Sequence, residues 1–158
     1  MRTFSEAEVQ AVVDRLEALP DDESLELLID TFAEEQPYAF AYLMTMGEDD
    51  FNEEEAEFFL FTGLILWQMV KQEVAGLSPV SEDMLDASAE ANRPLLEALG
   101  SESDTEFWAL VERSQVESGQ PAILAYLGQA VMDEAYFVRP RHRASLFFFL
   151  KVLLDSLE

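Results

Sequence analysis

Cysteine is absent from the 158-residue chain, histidine occurs once, and lysine occurs only at Lys71 and Lys151. Without cysteine there is no disulfide, no thiolate metal ligand and no sulfur nucleophile, and the redox compartment is left open. A carboxylate-bridged dimetal bundle needs Glu-x-x-His from two helices, which a single histidine cannot supply. That histidine, His142, lies between Arg141 and Arg143. Those cations oppose the imidazolium that a Ser-His-Asp triad builds up. The six glycines form no phosphate-cradling loop. No catalytic residue, metal ligand or cofactor is therefore assigned.

Positive charge is scarce as well, with nine Lys and Arg against 33 Asp and Glu and a net charge of −24. Nucleic-acid phosphates demand clustered Lys and Arg, so direct nucleic-acid binding is not expected. Long apolar runs are also missing. The longest lies between Glu57 and Lys71 and covers 13 residues, whereas a transmembrane helix needs about 20. No apolar leader follows Met1. A cytoplasmic protein without a membrane span is the expectation. Abundant acids with few lysines are also what a protein working in concentrated salt shows, although an ordinary acidic protein shares the pattern.

What the chain does have is apolar content, 49% of residues. That is ample for a packed interior and argues against disorder. The most apolar stretch, 52–76, carries its own boundaries. Asn52 is an N-cap, Glu53, Glu54 and Glu55 complement the positive end of the helix dipole, and Lys71 and Gly76 mark the far end. A helix apolar on all sides is buried on all sides, so this is the expected central helix.

The remaining segments read as helices in order. Ser5 and Glu8 form a capping box ahead of Val9, Val12, Val13, Leu16 and Leu19. Asp21 and Asp22 open a second helix with Leu25, Leu28, Ile29 and Phe32 on its inner face. Gln36-Pro37 starts a third, which stops at Gly47. After Leu77-Ser78-Pro79 the signals return. Ser81-Glu82 opens a helix that Pro94 should interrupt near Asn92. A helix over about 104–118 follows, then Gln120-Pro121, then a last apolar helix over 144–157.

The pattern QPxxxAYL occurs at 36–43 and at 120–127, with five identities in eight columns. LEAL at 16–19 recurs at 96–99. The offsets are 76 at Ser5/Ser81, 80 at LEAL, 84 at Gln-Pro and 86 at Leu60-Phe61/Leu146-Phe147. The first two increments are each four residues, about one helical turn, which a helix absorbs while keeping its buried face. The expectation is an all-α bundle of about eight helices, built as a tandem duplication of a four-helix unit. Repeats 1–79 and 80–158 would share one core, with 52–76 and 144–157 paired at its centre.

Two charged clusters stand out. Glu48, Asp49, Asp50, Glu53, Glu54, Glu55 and Glu57 place seven acids in ten residues. Such oxygen ligands suit a divalent cation, but the EF-hand spacing fails, and the favoured reading is a solvated loop with a charged helix start. Arg139, Arg141, His142 and Arg143 gather three of nine bases and the only histidine within five positions. They precede a helix, where positive charge opposes the dipole. They read as a docking patch for an acidic partner or for residues 48–57 of a second copy in a homodimer, or else as groups paired within the chain.

The leading functional expectation is a non-catalytic acidic helical module for protein interaction or regulation. An acidic chaperone or nucleic-acid mimic covering basic surfaces is the alternative, and needs carboxylates spaced like phosphates along one face. A carboxylate-based metal-dependent hydrolase or cation-binding protein is the third reading, and needs three or more acids converging in a cleft.

Overall fold

The computed structural model describes residues 1–98 and 103–158. Among them are nine α-helices and no strand. They are α1 Glu6–Glu17, α2 Asp22–Glu35, α3 Pro37–Thr45, α4 Glu53–Glu73, α5 Glu82–Ala91, α6 Arg93–Ala98, α7 Asp104–Glu117, α8 Pro121–Met132 and α9 Pro140–Leu157. A single 3-10 turn, Glu134–Tyr136, joins α8 to α9. The all-α expectation holds. The count exceeds eight because the helix interrupted by Pro94 divides at Asn92 into α5 and α6.

Local chemistry sets the boundaries. Ser5, Asp21, Asn52, Ser81 and Ser103 each accept a backbone N–H of the first turn through a side-chain oxygen. Proline at the first position, where its missing N–H costs nothing, opens α3, α8 and α9. Two boundaries differ from expectation. α4 ends at Glu73 with Val74 as its cap, and Gly76 turns left-handed at φ +67° two residues later. α9 starts at Pro140, so the basic residues form its cap and first turn rather than a preceding segment. Leu99, the last residue of the LEAL landmark at 96–99, lies outside the described residues.

α4 and α9 pack together at the centre. Phe58, Leu64, Ile65, Leu66, Trp67 and Met69 of α4 are buried, as are Leu146, Phe147, Leu150 and Leu153 of α9. The Phe59 and Phe149 rings meet across the pair at 6.0 Å. Burying each large side chain contributes about 1.5–3 kcal/mol. α1 and α3 lie on α4, while α5, α6 and α8 lie on α9, and α2 pairs with α3 as α7 pairs with α8. α2 is held mainly by Phe32, whose ring sits 4.9 Å from Trp67. Leu25, Leu28 and Ile29 are only part-buried. At the α3–α4 crossing, a Cβ on Gly63 would run into the Leu43 side chain, so glycine leaves room for it there.

The two Gln-Pro sites share more than sequence. Gln36 and Gln120 cap α3 and α8 with nearly the same backbone angles, φ/ψ of −133/65° and −130/60°. Both side chains are buried. Gln36 Nε2 donates to Ser78 O at 3.1 Å, and its Oε1 accepts from Val80 N at 2.9 Å. Gln120 Nε2 donates to Arg2 O at 2.8 Å, and its Oε1 accepts from Phe4 N at 3.0 Å. Arg2/Ser78 and Phe4/Val80 keep the 76-residue offset of the caps Ser5 and Ser81. Each glutamine thus grips the segment that enters the first helix of the other half of the chain.

Candidate functional site

Glu55 connects the two charged clusters. It sits at the third position of α4 and closes a capping box with Asn52, accepting Asn52 N–H at 3.0 Å. Its carboxylate is fully buried against the start of α9. There it accepts the Arg139 backbone N–H at 3.0 Å, Arg139 Nη2 at 2.6 Å and Arg139 Nε at 3.1 Å. His142 Nδ1 lies 2.9 and 3.0 Å from its two oxygens and 3.1 Å from Arg139 Nη2. Arg139 also donates to the Asp50 carbonyl at 2.9 Å, and the Phe51 ring stands edge-on to His142 at 5.4 Å.

The electrostatics follow from this arrangement. Burial alone pushes the Glu55 carboxyl up. The Arg139 guanidinium, the Asn52 backbone N–H, His142 and the Arg139 backbone N–H together outweigh burial and hold it down at about 2. Glu55 is therefore ionised and serves two helix starts at once. In α9 the third position belongs to His142, and the carboxylate that a capping box would place there is supplied by α4. Four arginine and histidine side chains facing the positive end of α9 are thereby tolerated.

The predicted clusters are redistributed by the fold. Glu48, Asp49, Asp50, Glu53, Glu54 and Glu57 are exposed, and only Glu55 turns inward. Arg139 and His142 turn inward to meet it. Arg141 is exposed and makes no ion pair among the described residues, and Arg143 reaches Asp104 at 3.5 Å. The basic segment is thus mostly paired within the chain, leaving Arg141 as its outward charge. Among the described residues no three His, Asp or Glu side chains converge as a metal-ligand group. Both oxygens of Glu55 are occupied by donors from the chain itself, so it offers no free face to a substrate. No described helix is long and apolar enough to cross a membrane.

An apolar cleft lies one turn further along α4. It is a cleft of about 680 Å³ between α2, α4 and the turn after α8. Leu25, Ile29, Phe61 and Leu64 form its apolar lining, with Tyr136 and Phe137 on the far wall. Tyr136 packs on Phe58 at 5.2 Å and donates its hydroxyl to Glu17 at 3.0 Å. Phe137 stands out on two counts. Its backbone is left-handed, φ 57°, and it is the only non-glycine residue with positive φ among those described. Its side chain is 68% exposed. That backbone state costs on the order of 1 kcal/mol or more for a side-chain-bearing residue. Val138, next to the α9 cap, takes the buried position, which leaves Phe137 outside.

The chain matches no protein-family model, no curated protein and no solved structure.

Sequence reasoning missed three things here. It placed Glu55 in a solvated acidic run, although a capping box Asn-x-x-Glu was legible there. It did not single out Phe137, for which the signal is weak: one aromatic between an acidic turn and Arg139-Pro140. It read Gln36 and Gln120 as helix starts and not as clamps.

Proposed function

We propose that this protein is a non-catalytic, acidic, helical interaction module that works by binding a partner protein. One observation carries this reading. A large aromatic side chain, Phe137, is held in solvent by a strained backbone beside an apolar cleft of about 680 Å³. Backbone strain of this kind clusters at ligand-binding and switch regions, and here it coincides with an exposed aromatic that lines an apolar cleft. The charged groups most suited to chemistry, Glu55, Arg139 and His142, are engaged with one another and support the fold instead.

The test is affinity capture from native lysate at matched salt, with wild-type protein and Phe137→Ala as parallel baits. A partner retained at a fixed ratio, lost with Phe137→Ala and rebinding after purification supports the module. Equal retention by both baits, or no partner above background, overturns it.

A further inference from the structure

Resting on that reading, we infer that the cleft between α2, α4 and the 3-10 turn is a docking groove for a basic amphipathic helix of the partner. The charge is one-sided. Asp22, Glu54 and Glu57 are the charged lining residues, all exposed acids, and no described Lys or Arg lines the cleft. Elsewhere on the surface several cations are already matched, Arg2 with Glu8 and Glu73, Lys71 with Glu35, Arg93 with Glu90, whereas Arg15, Arg113 and Arg141 make no ion pair among the described residues and do not line the cleft. Glu54 and Glu57 are three residues apart on α4 and so project from the same side of it. An occupant with Lys or Arg along its edges meets uncompensated negative charge.

The walls also select the shape of the occupant. α2 and α4 are helices whose backbone groups are satisfied internally, so the cleft offers no strand edge to an extended peptide. A segment entering an apolar groove must satisfy its own backbone, and a helix does so. The lining then takes apolar anchors at helical spacing: Leu25 and Ile29 from one side, Leu60 and Phe61 from the other, with Phe137 also lining the cleft.

The experiment uses labelled peptides of about 18 residues, long enough for an amphipathic face, titrated against the full chain by fluorescence anisotropy. One peptide places Leu on one face and Lys on the other. A second scrambles the same composition, and a third replaces Lys with Glu. The expected result is saturable one-to-one binding of the first alone. Phe137→Ala and the double variant Glu54→Lys/Glu57→Lys should each weaken it about tenfold or more. Glu82→Lys/Asp83→Lys, on α5 and away from the cleft, should leave it within about twofold. Equal binding of the scrambled peptide, or no effect of the cleft variants, reduces the interaction to general charge attraction and overturns the groove. Binding of the Glu peptide overturns its charge preference. Self-association in sedimentation that Phe137→Ala abolishes, without peptide binding, makes a second copy the occupant. That outcome overturns the basic helix. A partner captured through Phe137 that carries no basic helix does the same while leaving the interaction module in place.

Discussion

Glu55 closes the backbone of Arg139 across 84 residues of sequence, with its Oε2 3.0 Å from the Arg139 amide. The same carboxylate caps its own helix. One side chain therefore fixes where both central helices begin and how they are placed against each other. A buried carboxylate is tolerated only because four N–H donors and the His142 ring surround it. Removing either side of such a pair leaves the other without compensation.

Replacing Glu55 with Ala should destabilise the fold by about 3 kcal/mol, the typical loss when a buried charge pair is broken from one side. Arg139→Ala should also destabilise, and the double variant should lose less than the sum of the two. A double-mutant cycle in urea measures this coupling. Additive losses would mean that the contact does not support the fold.

The depressed Glu55 pKa has a defined pH signature. Its ordinary value is 4.5 and its folded value about 2. The stabilisation is complete above the unfolded value and is lost as pH falls from about 4.5 towards 2. Protonation of the other acids relieves self-repulsion over part of the same range and acts in the opposite direction. The difference between wild type and Glu55→Gln isolates the single group. Melting temperature against pH should show the two proteins converging as pH drops through this window.

Gln36→Ala and Gln120→Ala each leave a buried backbone amide, of Val80 or Phe4, without its acceptor. Each should lower stability by about 2 kcal/mol. The two losses should be comparable, because the two clamps have the same geometry. Chemical denaturation of the single variants checks both the size and the match.

At net −24 the compact state repels itself, and salt relieves that. The Debye length falls from about 10 Å at 0.1 M to about 3 Å at 1 M. The melting temperature should therefore climb markedly from low to molar KCl. A flat response would show that neither self-repulsion nor salt adaptation shapes this surface.

Helix positions were legible because their signals are local: Ser5 with Glu8, Pro37, Pro121, Asn52 and the Pro94 break each act within one turn. The pairing of α4 with α9 was legible because a helix apolar on every side has to be surrounded. What could not be read was the direction of long-range polar contacts. Glu55 is one of seven acids in ten residues, and the capping box with Asn52 marks it as a partner of its own helix start but not as the one acid that meets α9. That depends on α9 delivering Arg139 and His142 to the same point. Phe137 is hidden from sequence reasoning for a related reason. Its exposure follows from Val138 taking the buried place beside the Arg139 cap, a choice made by the packed helices and not by the local pattern.

The crossed glutamine clamps bear on how the chain reaches its folded state during synthesis. Phe4 is buried, and its amide finds its acceptor only on Gln120, 116 residues later. The first half can build α1 to α4 as it emerges, yet its entering segment stays unsecured until most of the second half has followed. A contact of such long sequence separation forms late and slows folding. The half-made chain exposes the apolar faces of α1 and α4 meanwhile, and the face of α4 stays open until α9 has been made, so that period is when this protein is most open to aggregation.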